Sequence, residues 1–592
     1  MASPASLYEE KTDYYRSKLG VLQKKLNLIA LLRISVFVIF GVSIYFYIKT
    51  FQIAVLITTI LLLSVFIGLI RINSFMRRKK LLFEQLLFIN SNELSVLQNQ
   101  PNQFDNGQQF ISQETYQADL DIFGHGSVFH LLNRTTTSHG REKLAALLQH
   151  PLNRKADIES FQEAARILSE KFEKRQLLTA NGLLYGEKEE NLNSVGSWLN
   201  TSNRVKQKKW ILILRWVLPI YNLGATYFYL FTGIFLPFAI ALILTWLLLT
   251  LFSKYISEQH QLISKKQQTL DQYTAILREF GNTEFGSSIC LEELRYSAVE
   301  AHQAISRLSK LANAFDRRLN LVVNIFLNSL FLYDIQVIIA LENWKGKNKN
   351  KFQQWIDCVG MIEYLNSLAV FAFNNPGYAY ASIADEKIII EAKQIAHPLI
   401  PEKERIVNDF LIGKNEKLQL ITGSNMSGKT TFLRTIGVNL LLAQCGSPVC
   451  AESFRFSPMG LLSAIRISDS LLEHTSYFMA ELKRLHQIVK QLQNGLPALV
   501  LVDEILRGTN SDDKTHGSEQ FIRKLLQYNC LVLFATHDLN LSSLEKEFPS
   551  MISNFCFESI IQEGELYFDY KLRKGIAKNK NASFLMQKME II

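Results

Sequence analysis

Residues 421 to 433 read ITGSNMSGKTTFL. Gly423 and Gly428 bracket Ser424, Asn425, Met426 and Ser427, and Lys429, Thr430 and Thr431 follow directly. Glycines at that spacing let backbone N–H groups converge on one anion, as a phosphate chain requires. A lysine after the second glycine reaches the β and γ phosphates, and the hydroxyl of Thr430 can ligate Mg²⁺. The pattern carries this chemistry only between a strand and a helix. LQLI (418 to 421) predicts a buried strand, and the apolar periodicity running through Gln444 predicts a helix.

Two further stretches supply the groups that nucleotide hydrolysis needs. ALVLVDEI (498 to 505) is an apolar strand ending in paired carboxylates, which puts Asp503 near the metal and Glu504 near the attacking water as general base. LVLFATH (531 to 537) is another apolar strand, ending in His537, which can sense the γ-phosphate or orient that water. The expected site therefore takes ATP and Mg²⁺, with Lys429, Glu504 and His537 catalytic, residues 423 to 431 on the phosphates, and Thr430 and Asp503 on the metal.

These residues resemble the MutS family of DNA mismatch-repair ATPases, whose heads are of the ABC class. The family's TGPNMGGKST is matched by TGSNMSGKTT, its MAQxGxxVPAE by LAQCGSPVCAES, its DEIGRGT by DEILRGT at Asp503 to Thr509, and its FATH motif by Phe534 to His537. SYFMAE, Ser476 to Glu481, resembles the signature that caps the γ-phosphate held by the opposite subunit, and YKLRKG (570 to 575) resembles the family's last strand and turn. Upstream, SVFHLLNRTTTSHGREKLAALLQHPL (127 to 152) resembles the start of the core and lever domain. The resemblance implies a homodimer with two composite sites, Ser476 contributing in trans, and double-stranded or branched DNA as the inherited partner. The sequence departs from the family in three places. Leu506 replaces a glycine, Arg405 stands where an aromatic stacks on adenine, and nothing before residue 119 resembles the mismatch-reading domain. Phe161-Gln162-Glu163 repeats the letters of that domain's wedge, by coincidence, inside the lever pattern.

The elements that position this site come with apolar runs of membrane length. Phe51 to Ile70 holds 20 residues without a charge and Trp216 to Phe252 holds 37, enough for two spans and a tight turn. Residues 28 to 48 supply a further span, with Arg33 near one end and able to snorkel. Lys24, Lys25, Arg71, Arg77, Arg78, Lys79, Lys80, Lys206, Lys208, Lys209 and Lys254 sit at the open ends of the two resulting hairpins, and only Lys49 at a closed end. The positive-inside rule then puts both termini and the ATPase domain in the cytoplasm of a multi-pass protein of the inner or plasma membrane. Leu319 to Leu341 is apolar too, but its Asn320, Asn324, Asn328 and Asp334 predict one buried soluble helix.

The fold expected is an α/β phosphate-loop head of ABC type at the C-terminus, preceded by an all-α core and lever region that a transmembrane hairpin interrupts. Another transmembrane hairpin forms the N-terminus. The boundaries expected are 1–80 for the first hairpin (helices about 28–48 and 51–70), 81–209 for a linker and the first part of the core, and 210–254 for the second hairpin. Residues 255–380 are returning levers and core, and 381–592 the ATPase domain. Cys290, Cys358, Cys445, Cys450, Cys530 and Cys556 form no Cys-x-x-Cys pair, so neither a zinc site nor a disulfide framework is indicated, and a reducing compartment is expected. The first apolar run follows a charged start with no small-residue cleavage site, so it is expected to stay in the mature protein. The net charge of +10 of the 592-residue chain does not separate DNA from lipid headgroups as the partner, because many basic residues flank the apolar runs. The leading reading is a membrane-anchored ATPase that moves its levers on DNA. The alternatives are an ABC-type transporter half, against which the missing LSGGQ signature counts, and a nucleotide-gated scaffold that contacts an unidentified protein.

Overall fold

The computed structural model describes residues 3–112, 116–186, 192–385, 388–466, 477–506, 510–562 and 565–578. The N-terminal hairpin is formed by the helices Pro4–Thr50 and Ile53–Leu97, which turn at Phe51 in the left-handed region (φ 51°). Both are far longer than the apolar runs predicted. The membrane-length segments are the outer parts of helices that continue, unbroken and with charged faces, into the helical core. Residues 81–97 are thus helix, not linker. Along the outer part Ile34, Phe51 and Leu61 are 67%, 75% and 63% exposed, while Ser43 and Thr59 satisfy each other between the helices at 2.7 Å.

At its open end the hairpin is bolted to the core by a buried polar cluster. Glu93 accepts from Nε and Nη2 of Arg134, the latter at 2.9 Å, and from Asn374 Nδ2 at 2.7 Å. Tyr8 donates to Asn374 Oδ1 (2.9 Å) and lies against Phe172 and Phe373.

The core is helical. Its axis is the helix Tyr333–Asn374, against which Ser138–Gln149, Lys155–Glu170 and the antiparallel pair Gln267–Gly281 and Ile289–Asp316 pack. Glu363 on that axis is buried and accepts four hydrogen bonds, from the backbone N–H and the hydroxyl of both Thr136 and Thr137. A Cβ on Gly140 would stand 2.1 Å from the Glu363 carboxylate, so the stretch TTTSHG is shaped around this one buried acid. Burial raises its pKa, and the four donors pull against that. Phe161 packs on Tyr364 and Gln162 donates to Ala381 O at 3.1 Å, so the wedge-like letters lie inside the core.

The second hairpin consists of Lys209–Thr232 and Leu236–Ile263, turning at Gly233 (φ 71°). Glu342 on the axial helix anchors its base by accepting from the N–H groups of Arg204, Val205 and Lys206 and from Tyr255 Oη. Among the described residues five helices are long and apolar enough to cross a membrane. The most apolar window of Tyr333–Asn374 is 78% buried in protein, against 6 to 28% for the four hairpin helices, which singles out the hairpins.

The expectation of one buried helix over Leu319 to Leu341 is corrected. The chain breaks at Leu332 (φ 51°), leaving a short helix, Leu321–Phe331, before the axial one begins. Asn328 Oδ1 accepts from Asp334 N at 2.9 Å, capping the new start, and the apolar face of the short helix is exposed.

Among the described residues the C-terminal part has ten strands: β1 Ser382–Ile383, β2 Ile390–Ile395, β3 Asn408–Ile412, β4 Leu418–Thr422, β5 Ser453–Phe456, β6 Gly460–Ala464, β7 Ala498–Asp503, β8 Cys530–Thr536, β9 Ile552–Gln562 and β10 Glu565–Lys574. The larger sheet has the order β10-β9-β4-β8-β7-β6, parallel except for β10, and the smaller one β1-β5-β2-β3. β4, β7 and β8 are buried along their whole length, which is why they read as unbroken apolar runs. The helix Lys429–Gln444 joins this part to the core: a Cβ on Gly437 would meet both Leu501 and Leu120 within 3 Å, and Gln444 Nε2 donates to Leu152 O.

Replacing Glu93 by alanine strands the Arg134 guanidinium, whose side chain is 4% exposed. Breaking a buried pair on one side costs on the order of 3–5 kcal/mol. Thermal unfolding in detergent is expected to show that loss for Glu93→Ala and a negligible one for Glu173→Ala, whose pair with Lys11 is at the surface.

Candidate nucleotide site

The C-terminal ends of three adjacent parallel strands meet here, where open α/β sheets bind their ligands. β4 runs into the phosphate loop, β7 ends in Asp503, and β8 ends one residue before His537; Thr422 lies opposite Thr536, and Asp503 opposite Ala535. The loop then enters the helix Lys429–Gln444, whose N-terminal N–H groups face the same space. Gly423 (φ 156°) and Gly428 (φ 101°) are both required by close approach. A Cβ on Gly423 would meet Ser427 Oγ and Phe557 O, and one on Gly428 the Tyr570 ring, all within 3 Å.

Within this frame the expected residues converge. Ser424, Asn425, Met426, Ser427, Gly428, Lys429, Thr430 and Thr431 line a cavity of about 600 Å³ together with Asp503 and Glu504. Thr430 Oγ1 donates to Asp503 Oδ2 at 2.5 Å, so a hydroxyl and a carboxylate aim at one point. That donor set fits Mg²⁺, which takes one or two protein oxygens and completes its octahedron with phosphate and water. Lys429 Nζ is held by the carbonyls of Gly423 (2.7 Å) and Ser424 (2.8 Å), with Glu504 Oε1 4.0 Å away.

His537 Nδ1 lies 3.1 Å from Glu504 Oε1, and its Nε2 lies 3.3 Å from Lys514 Nζ. A lysine ammonium only donates, so in the neutral imidazole Nε2 is the acceptor and Nδ1, on the Glu504 side, carries the proton. His537 thereby sits between Glu504 and Lys514. Ser476, and Arg507, Gly508 and Thr509 of the loop, fall outside the described residues.

Three residues of the site were not among those expected from the sequence. Lys514 sits on the helix Ser511–Leu525 and meets His537 only through the tertiary fold. Tyr570 reaches the phosphate loop because β10 bulges between Phe568 and Leu572, with Tyr570 itself at φ 52°. Inside the motif YKLRKG its position relative to the loop could have been suspected. Arg405 lines the same cavity, but its guanidinium is engaged by the carbonyls of Ile400 and Pro398 and lies over Tyr378. The aromatic face beside the phosphate loop comes from Tyr570. Leu506 adopts φ 61°, the backbone that a glycine adopts without strain, and its side chain lies where a Cβ on Gly517 would stand 2.5 Å away.

The third is His397, at the cavity wall, whose Nδ1 accepts from Leu399 N at 3.3 Å. Burial, with Arg434 beside it, lowers its pKa from 6.5 to about 4. Unfolded chains take up this proton near pH 6.5 and the folded protein only near 4. Stability from this residue is therefore complete above pH 6.5 and lost as the pH falls toward 4. The thermal midpoint in detergent is expected to fall across that window, and less steeply for His397→Gln.

Comparison with known proteins gives this geometry a family. Residues 419–589 match the family model described as MutS domain V. The human protein named MutS protein homolog 4 is 32% identical over 237 residues, 38% of this chain and 24% of that protein. Proteins named DNA mismatch repair protein MutS from Finegoldia magna and Thermotoga maritima are 32% and 30% identical over 41% and 36% of the chain, which is 28% and 27% of their own length. The chain thus spans about a quarter of the length of each of these relatives. The phosphate loop and the carboxylate pair lie within this matched segment, so residues 419–589 form a domain of the MutS domain V kind.

Proposed function

We propose that this chain is a membrane-anchored ATPase of the MutS type. The observation that carries the proposal is the meeting of Lys429, Thr430, Asp503, Glu504 and His537 at the ends of three parallel strands around a cavity of nucleotide size. The loop amides and Lys429 hold the phosphates, and Thr430 with Asp503 holds Mg²⁺, which when bound neutralises charge on the phosphate oxygens. Glu504, sheltered at 12% exposure with His537 Nδ1 3.1 Å away, takes the proton of the attacking water. Tyr570 offers its ring to the nucleotide.

The resemblance at Ser476 supports a homodimer whose closure on ATP moves the core, and two relatives are named for DNA mismatch repair. Double-stranded or branched DNA is accordingly the partner proposed, with the bilayer as the anchor of both hairpins and the head and termini on the cytoplasmic face. A nucleotide-gated scaffold is the second reading. It is favoured by the way both hairpins are fixed, through Glu93 and Glu342, to one axial helix of the core.

The test is ATP hydrolysis by the full chain in detergent, with and without matched, mismatched and branched DNA over a range of salt. Glu504→Gln is expected to lower turnover by about 100-fold or more while ATP still binds. Stimulation by DNA that fades with salt is the expected result for the wild type. Hydrolysis indifferent to every DNA would move the function to the scaffold.

A further inference from the structure

The short helix Leu321–Phe331 is the least explained element of the molecule. Leu319, Leu321, Val322 and Phe326 are 65%, 70%, 76% and 61% exposed, an apolar face that soluble surfaces seldom carry. Its other face is polar and points into protein: Asn324 and Asn328 follow one another at helical spacing, hydrogen-bonded together, and Asn328 is buried.

Its attachment to the second hairpin fixes its level. Asn222 Nδ2 donates to Ser329 O (2.8 Å) and Thr245 Oγ1 (2.9 Å), and Trp246 Nε1 donates to Ser329 Oγ (3.2 Å). Asn222 and Trp246 each lie ten residues from the hairpin's closed end at Thr232 and Leu236, which is about 15 Å of helix. A bilayer's hydrocarbon core is ~30 Å thick, so a hairpin that spans it holds Ser329 near mid-depth. The charged residues next to the helix are collected on the side of the open end: Arg318 pairs with Asp334 at 3.5 Å, and Gln336 donates to Arg215 O.

Both ends of the short helix are satisfied by side chains, as backbone at membrane depth requires. Asn320 Oδ1 caps Val323 N at 3.2 Å, and in the last turn the Ser329 carbonyl accepts from Asn222 Nδ2 at 2.8 Å.

We infer that Leu321–Phe331 is a third, non-spanning membrane element that enters the leaflet nearest the ATPase head, with acyl chains covering its Leu321, Val322 and Phe326 face. This inference rests on the reading that the hairpins cross a bilayer. Continuity of the exposed apolar face with that of the hairpin, where Ile220 and Ile243 are 70% and 65% exposed, supports lipid as the occupant.

The test uses the full chain in phosphatidylcholine nanodiscs, with Cys290, the one cysteine that is not buried, replaced by serine. A fluorophore is placed singly by Val322→Cys or Phe326→Cys, with Ile243→Cys on the hairpin and Tyr296→Cys on a soluble helix as references. All four sites are exposed, so folding is preserved. Probes at 322 and 326 are expected to lose about half their emission to lipids nitroxide-labelled at a shallow acyl position and to resist aqueous iodide, as a depth of ~5–15 Å requires. Quenching of the 322 and 326 probes by iodide, with the 243 probe quenched by lipid, would overturn the inference while leaving the spanning hairpin intact. Shielding of 322 and 326 from both quenchers would overturn it in favour of a second protein copy. If the 243 probe itself met iodide, the membrane reading would fall and this inference with it.

Discussion

A carboxylate taken out of water must find donors, and two on a single helix, Glu342 and Glu363, organise this molecule. Glu363 gathers the turn of Thr136 and Thr137, and Glu342 gathers the backbone that leads into the second hairpin. The helix that carries them runs from Tyr333 to Asn374, about 63 Å at 1.5 Å per residue. Along it lie Gln336 at the second hairpin, Trp344 stacked on Trp198, Tyr364 donating to Cys445 O at the end of the phosphate-loop helix, and Asn374 in the cluster that holds the first hairpin. Nucleotide site, core and both apolar hairpins therefore share one rigid part.

The site itself stores strain. Glu504 and Leu506 both have left-handed backbones, at φ 46° and 61°, and neither is glycine. Such residues cost on the order of 1–3 kcal/mol each and persist where neighbours over-determine them. Here Ala535 O takes Glu504 N, Glu481 takes Leu506 N at 2.7 Å, and the Leu506 side chain fills the space that Gly517 leaves. Leu506 is thus held by the helix Tyr477–Leu492 on one side and by Ser511–Leu525 on the other.

Much of this was legible in the sequence, for identifiable reasons. The phosphate loop, Asp503, Glu504 and His537 are each announced by an apolar strand that ends in a chemically specific residue, so local pattern and site coincide. Hydropathy located the hairpins but not the ends of their helices. It registers where the apolar face stops, whereas Pro4–Thr50 and Ile53–Leu97 continue as helices with charged faces. The break at Leu332 escaped because its cause is a cap from Asn328, six residues before the atom it binds, within an otherwise helical pattern. Lys514 and Tyr570 come to the site through packing and a strand bulge, which no spacing encodes.

An unbroken helix has no joint. Pro4–Thr50 carries one continuous hydrogen-bonded backbone from the clamp at Tyr8 to the tip at Phe51, about 65 Å, so a swing of about 5° at the clamp moves the tip by about 6 Å. In a bilayer such tilts alter how much apolar length the membrane must cover, at a cost of fractions of a kcal/mol per Å. Set in a bilayer, this helix would pass a change of membrane thickness to the core as a weight acts on the long arm of a balance.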